Sequence, residues 1–365
     1  MPGRPTRAEA PAVRSGLRRD LEAILRAFDR AAEGTGVVGR DLLVGGLRVR
    51  LRAAGPALLE EFWPSLSHLG AEGAGDVSKV DVDRSPDLTI VLWDSASTGT
   101  ELPSIPWMFE SEQDPRTTRV ARGDGLRMAY RASEHELVAL DARENLAVLW
   151  VPDHKEISVH VRGAPFLVIW HWWMRARDAH PIHAGAVGEP DGGVLLVGRG
   201  GSGKSTTAVA CLLEGMSYAS DDYVMLKASP EPYASSLYCT AKLDPVQASR
   251  FPELQPALRG GSPPGEKVLA FMHAFRPDRV IGGFPVRAVL APRVTDGPRT
   301  TARQIRAAEA LAALAPSTLL GLPIPDASAF GVMADLVRRV PSFRLELGSD
   351  LSSIAPAVRG ILAAI

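Results

Sequence analysis

A chain of 365 residues with 45% hydrophobic content exceeds the roughly 100–200 residues of one domain and can bury more than one core. Its 41 basic residues against 42 acidic ones, a net charge of −1, exclude the overall basic footprint expected of a nucleic-acid or anionic-membrane partner. Two cysteines, Cys211 and Cys239, exclude a disulfide framework and point to a reducing, cytoplasmic setting. The first twenty residues lack the apolar core of a signal peptide, and no apolar run reaches the ~18 residues of a membrane span. There are six lysines and 35 arginines, so a retained lysine marks a place where a compact point charge is wanted.

Residues 1–16 are rich in Pro, Arg and Ala and read as loose. Leu17, Leu21, Ile24, Leu25 and Phe28 recur at helical spacing and predict a helix over 17–33, ended by Gly34 and Gly36. Short β-type runs follow at 41–52, 87–93, 126–131, 137–140, 146–151 and 156–162, punctuated by Gly, Pro, Asp and Asn. They predict a mostly β N-terminal domain over 37–165, after a loose terminus and helix over 1–36. Segment 166–177, FLVIWHWWMRAR, reads as a helix buried between two domains rather than a stack of tryptophans for a ligand.

After Pro181 the pattern becomes α/β and defines a third segment, 166–365. The order is IHAGAVG, an apolar strand VLLVG, a Gly-rich loop, and a helical TTAVACLLEG. Further on come a loop-rich stretch over 228–265, a strand over 285–294, and amphipathic segments at 302–315, 328–339 and 351–363, the last opened by Asp350 as N-cap.

The loop 198–205 fits G-x-x-x-x-G-K-[ST] at every fixed position, between a strand and a helix as that motif requires. Gly198, Gly200, Gly201, Ser202 and Gly203 let backbone N–H groups approach phosphate oxygens. Lys204 reaches the terminal phosphates, Ser205 offers a hydroxyl to Mg²⁺, and Thr206 lies in the first helical turn, whose dipole favours the anion. No N-K-x-D motif of GTPases and no L-S-G-G-Q-like signature of ABC-type ATPases is present. Asp221 and Asp222 follow soon after the helix, at the mouth of the next strand. One can help hold Mg²⁺ while the other accepts a proton from an attacking hydroxyl, since neighbouring strand residues point to opposite faces. His183, at the start of the preceding strand, can reach the same pocket.

His-Ala-Gly-Ala-Val, the phosphate loop and the Asp-Asp pair together resemble the C-terminal domain of HPr kinase/phosphorylase and its shorter kinase-like relatives, over about 181–226. The resemblance implies an α/β domain with a P-loop, related to the phosphoenolpyruvate carboxykinase/HPr kinase fold. It implies ATP and Mg²⁺ as cofactors and a serine of a protein or ribosomal peptide as acceptor. By the same resemblance His183 assists proton transfer, Asp221 is the general base and Asp222 its acidic partner at the metal with Ser205. SSLYCTAKL and GEKVLAF look like segments of the kinase-like relatives and add Lys242 and Lys267 as phosphate or substrate contacts. The L-E-I-R-G-like segment of the full HPr kinases is absent. Family members form rings, so a homo-oligomer is allowed for; nucleic acid and membrane are not expected. A small-molecule kinase and a nucleotide-gated regulatory module remain the alternatives.

Overall fold

A computed structural model describes residues 12–13, 16–71, 85–108, 118–259, 267–324 and 327–365. Most of the expected loose terminus, 1–11 and 14–15, lies outside the described residues, as do 260–265 of the loop-rich stretch and residue 266. The chain divides into two compact units. One takes in Met1–Trp63, Leu69–Arg177 and Pro323–Pro325; the other takes in Pro64–His68, Asp178–Leu322 and Asp326–Ile365. The division at 177/178 puts segment 166–177 in the first unit, whereas the sequence places it at the head of the second.

The first unit is built on a mixed eight-stranded sheet. Its strands are β1 (Ala12–Val13), β2 (Val37–Val44), β3 (Leu47–Ala54), β4 (Leu88–Asp94), β5 (Thr118–Gly123), β6 (Leu126–Arg131), β7 (Glu136–Asp141) and β8 (Leu146–Val151). They run in the order β1-β5-β6-β7-β8-β4-β3-β2. Gly45 and Gly46, both at positive φ, turn the expected single run 41–52 into the β2–β3 hairpin. Helix α1 (Leu17–Thr35) buries Leu17, Leu21, Ile24 and Phe28 against this sheet and stops at Gly36, whose φ is 77°. Helix α2 (Ala57–Leu66) and the short α3 (Ser95–Thr98) follow strands β3 and β4.

The expected strand 156–162 is instead helical. The Ser158 hydroxyl accepts the Val161 N–H and starts α4 (Val159–Gly163), so a local cap overrides the β-branched residues. Helix α5 (Leu167–Arg175) is buried from Leu167 to Met174 and packs on β7.

The second unit begins with β9 (His180–Ile182), β10 (Gly185–Glu189), β11 (Gly192–Leu196), α6 (Lys204–Leu213), β12 (Ser217–Ser220), β13 (Val224–Lys227) and β14 (Tyr233–Ser236). A small sheet comes next: β15 (Thr240–Leu243), β16 (Leu258–Arg259) and β17 (Val268–Phe271), with α7 (Pro245–Ser249) and α8 (Met272–Phe275) beside it. The chain closes with β18 (Gly283–Val294), β19 (Thr301–Ile305), α9 (Ala307–Gly321), α10 (Ser328–Arg339), β20 (Ser342–Leu347) and α11 (Ile354–Ala363). Segment 302–315 is therefore a polar edge strand followed by a helix, not one amphipathic helix. The stretch 228–265 holds more regular structure than its composition predicts.

The principal sheet of this unit has nine strands. Parallel pairing joins β11 to β18 and β18 to β20, while β10 lies antiparallel between β11 and β12. Strand β11 alternates between two cores. Val194 and Leu196 face α6 and α11, while Leu195, with Val197 just past the strand, faces α9 and α10. Strand β18 does the same with Ala288 and Leu290 against Val289 and Ala291. The molecule is thus mixed α/β with several sheets. Among the described residues no helix is long and apolar enough to cross a membrane.

Candidate functional site

The carboxyl ends of β12, β11, β18 and β20 share one edge of the principal sheet, and the amino end of β10 lies at the same edge. In open α/β sheets this edge, outside the carboxyl ends of parallel strands, is where ligands bind. Loop 198–205 leaves β11 there and enters α6.

The loop's shape depends on its glycines. Gly203 has φ 102°, and a Cβ at this position would lie 2.2 Å from Leu347 Cδ1. Gly201, at φ 79°, is likewise in the left-handed region that favours glycine. Lys204 begins α6 and is only 7% exposed. Its Nζ donates to the Gly198 carbonyl at 2.6 Å and the Arg199 carbonyl at 3.4 Å. Burial lowers the proton affinity of this ammonium below the usual lysine range, although Asp221 and Asp222 oppose the effect. Thr206 is buried in the first turn.

Asp221 and Asp222 leave β12 into the same cleft, yet their surroundings differ. Asp221 is 2% exposed. Its Oδ2 accepts the Lys242 backbone N–H at 3.1 Å, and Ser205 lies beside it in the cleft, opposing the rise in its proton affinity. Its Oδ1 is buried with no protein partner. Burial, followed by the adjacent Asp222 charge, raises its proton affinity. Asp222 is held from both sides: His183 Nε2 lies 3.0 Å from Oδ1 and Lys242 Nζ lies 2.5 Å from Oδ2. Burial pushes its carboxyl up, but the opposing Lys242 and His183 contacts outweigh this and hold it well below the usual carboxylate range.

His183 is fixed by α9. Its backbone N–H donates to Thr318 Oγ1 at 3.2 Å, and its Nδ1 lies 3.2 Å from the Ser317 carbonyl. Both ring nitrogens therefore face oxygens, which fixes the ring's orientation. Tyr223 stacks on the ring, with centroids 5.2 Å apart, and donates its hydroxyl to the Gly321 carbonyl at 2.9 Å.

The fold thus brings His183, loop residues Gly200 to Ser205, Asp221, Asp222, Lys242 and Lys267 to one cleft. Gly198 and Thr206 do not line it; Gly198 instead accepts the Lys204 ammonium through its carbonyl. Asp244 and Gln247 line it and were not anticipated, although their Asp-x-x-Gln spacing is a readable capping box for α7. Tyr223 was also missed, and only its position beside the Asp pair hints at a role.

For a divalent cation the donor set is suitable. A buried carboxylate oxygen without a partner lies next to a serine hydroxyl, and hard cations take such oxygens. A separate trio, Asp94, Asp153 and His154, lies in the first unit. Its lone pairs already serve structure: Asp94 accepts from Ser97 and His154, and Asp153 caps the turn at Lys155.

No family model matches the chain, and no curated protein does. A solved HPr(Ser) kinase/phosphatase from Coxiella burnetii aligns with a TM-score of 0.30 and 14% identity, covering 51% of this chain and 92% of that one. A score this low does not establish a common fold.

Proposed function

We propose that the second unit is a P-loop kinase domain that transfers the terminal phosphate of ATP to a hydroxyl. The acceptor is most consistent with a serine of a protein or peptide, as the sequence motifs imply. One observation carries the transfer reading. A lysine buried at the start of a helix, behind a glycine-shaped loop, shares its cleft with a buried aspartate that keeps one oxygen unpartnered.

In this reading the loop amides and Lys204 neutralise charge spreading over the phosphate oxygens in the transition state. Lys204 exchanges its carbonyl partners for phosphate. Asp221 accepts the proton of the attacking hydroxyl, a role that its raised proton affinity favours. Lys242 and His183 keep Asp222 ionised beside it. For Ser205 and Asp222 to hold Mg²⁺, Asp222 would release one of the oxygens that His183 and Lys242 now hold; the bound ion would supply Lewis-acid withdrawal of charge from the phosphates.

A second reading is favoured by the Ser205–Asp221 contact: Asp221 and Ser205 hold the cation, and Asp222 takes the proton. Transfer from γ-labelled ATP to serine peptides and to a small-molecule pool tests both, with an acceptor-free arm reporting hydrolysis. In the first reading Asp221→Asn lowers transfer about 10²–10⁴-fold without changing the Mg²⁺ requirement. In the second, Asp221→Asn raises the Mg²⁺ requirement, and Asp222→Asn lowers the rate. Wild-type transfer by both variants would refute a carboxylate base in this cleft. Transfer confined to the small-molecule pool would point to a metabolite kinase, and nucleotide binding without turnover would point to a regulatory module.

A further inference from the structure

Strand order fixes a direction along the cleft. Across the edge the strands run β12, β10, β11, β18, β20. The reacting groups lie on the β12 side: Asp221 and Asp222 follow β12, and His183 precedes β10. A triphosphate chain in loop 198–205 must point its terminal phosphate towards these groups. Its other end then leaves on the opposite side, over β18 and β20.

A surface is built there. Gly203, the last loop glycine, sits on Leu347 at the end of β20, with Val294 Cγ2 3.7 Å from where a Cβ would stand. Val294 ends β18 and is 62% exposed, one of few large apolar side chains left open among the described residues. The loop behind it is tied down. Thr295 N–H and its hydroxyl both donate to the Leu347 carbonyl, at 2.9 and 3.0 Å. Ser349 N–H donates to the Gly297 carbonyl at 2.9 Å and Asp350 N–H to the Pro298 carbonyl at 3.0 Å. Val294 is therefore presented on a preorganised shelf, which lowers the ordering cost of binding.

We infer that the sugar and base of the donor lie on this shelf, against Val294. The inference rests on the reading that loop 198–205 holds the triphosphate, and the two are separable by experiment.

The test is calorimetric titration of the full chain with Mg·ATP and with magnesium tripolyphosphate, which lacks the nucleoside. Wild type binds ATP more tightly than tripolyphosphate. Val294→Asn, a neutral change at an exposed position, weakens ATP about fivefold and leaves tripolyphosphate unchanged. Val246→Asn changes neither; Val246 is 75% exposed and lies between Asp244 and Gln247, on the side of the Asp pair. The inference is overturned if Val294→Asn leaves ATP affinity intact, or weakens both ligands equally. It is also overturned if wild type does not distinguish the two ligands, or if Val246→Asn is the selective change. Binding of neither ligand by wild type would remove the phosphate-site reading and this inference with it.

Discussion

The two adjacent aspartates are chemically identical, and their environments separate them. Asp222 faces the Lys242 ammonium and the His183 ring, whereas Asp221 faces a backbone N–H, a hydroxyl and its own neighbour's charge. The difference has a thermodynamic signature. A carboxyl whose proton affinity is raised by folding binds more protons in the native state than in the unfolded one, over the window above the ordinary Asp value of 3.8. Stability from this group is present below that value and declines as pH rises through the folded pKa. Asp221→Asn cannot ionise but keeps an acceptor for the Lys242 N–H. Its thermal midpoint should match wild type near pH 4 and exceed it increasingly towards pH 7. A constant offset across that range would show that Asp221 is not the strained carboxylate. The sequence contained both residues and their spacing from Lys204. It could not assign their burial, because the Lys242 and α9 partners come from distant segments.

Elements were legible where pattern and punctuation agreed. Helix α1 has a full apolar stripe and a glycine stop, and loop 198–205 has every motif position filled. Elements were illegible where side chains did not report their neighbours. Strand β20, SFRLEL, carries Arg and Glu on one face, yet its Leu345 and Leu347 complete the α6-side core. Strand β19 is an edge whose first four residues are exposed, so no apolar alternation marked it. This oversight concerned the site directly, since Leu347 seats Gly203. Gly203→Ala should destabilise the chain by about 1–3 kcal/mol through its backbone conformation, plus the Leu347 clash. A double-mutant cycle with Leu347→Ala, read by denaturant unfolding, should show favourable coupling of at least about 0.5 kcal/mol as the clash is relieved. Strict additivity would mean that the two side chains do not meet.

At the scale of the whole molecule, a chain with six lysines places three of them, Lys204, Lys242 and Lys267, around one cleft. Lys155 and Lys227 are exposed elsewhere, and Lys79 lies outside the described residues. Reductive methylation followed by peptide mass spectrometry should therefore divide the five described lysines into two classes. Mg·ATP should protect the three cleft lysines several-fold and leave Lys155 and Lys227 unaffected. Uniform labelling with and without nucleotide would contradict a phosphate site there. The mixed α/β character of the second unit was readable from its strand–loop–helix order. The eight-stranded sheet of the first was only partly readable, because β5, TRVARG, shows its burial in context and not in composition.

The seat that Leu347 provides for Gly203 also sets an order of events during synthesis. Loop 198–205 and α6 emerge from the ribosome long before β20. A nascent chain stalled short of Leu347 already carries the complete loop motif but not the side chain on which its last glycine rests. Capture of such stalled chains on immobilised ATP would therefore begin only after β20 has been added. Acquisition of the nucleotide site would then serve as a built-in report that the end of the sheet has closed.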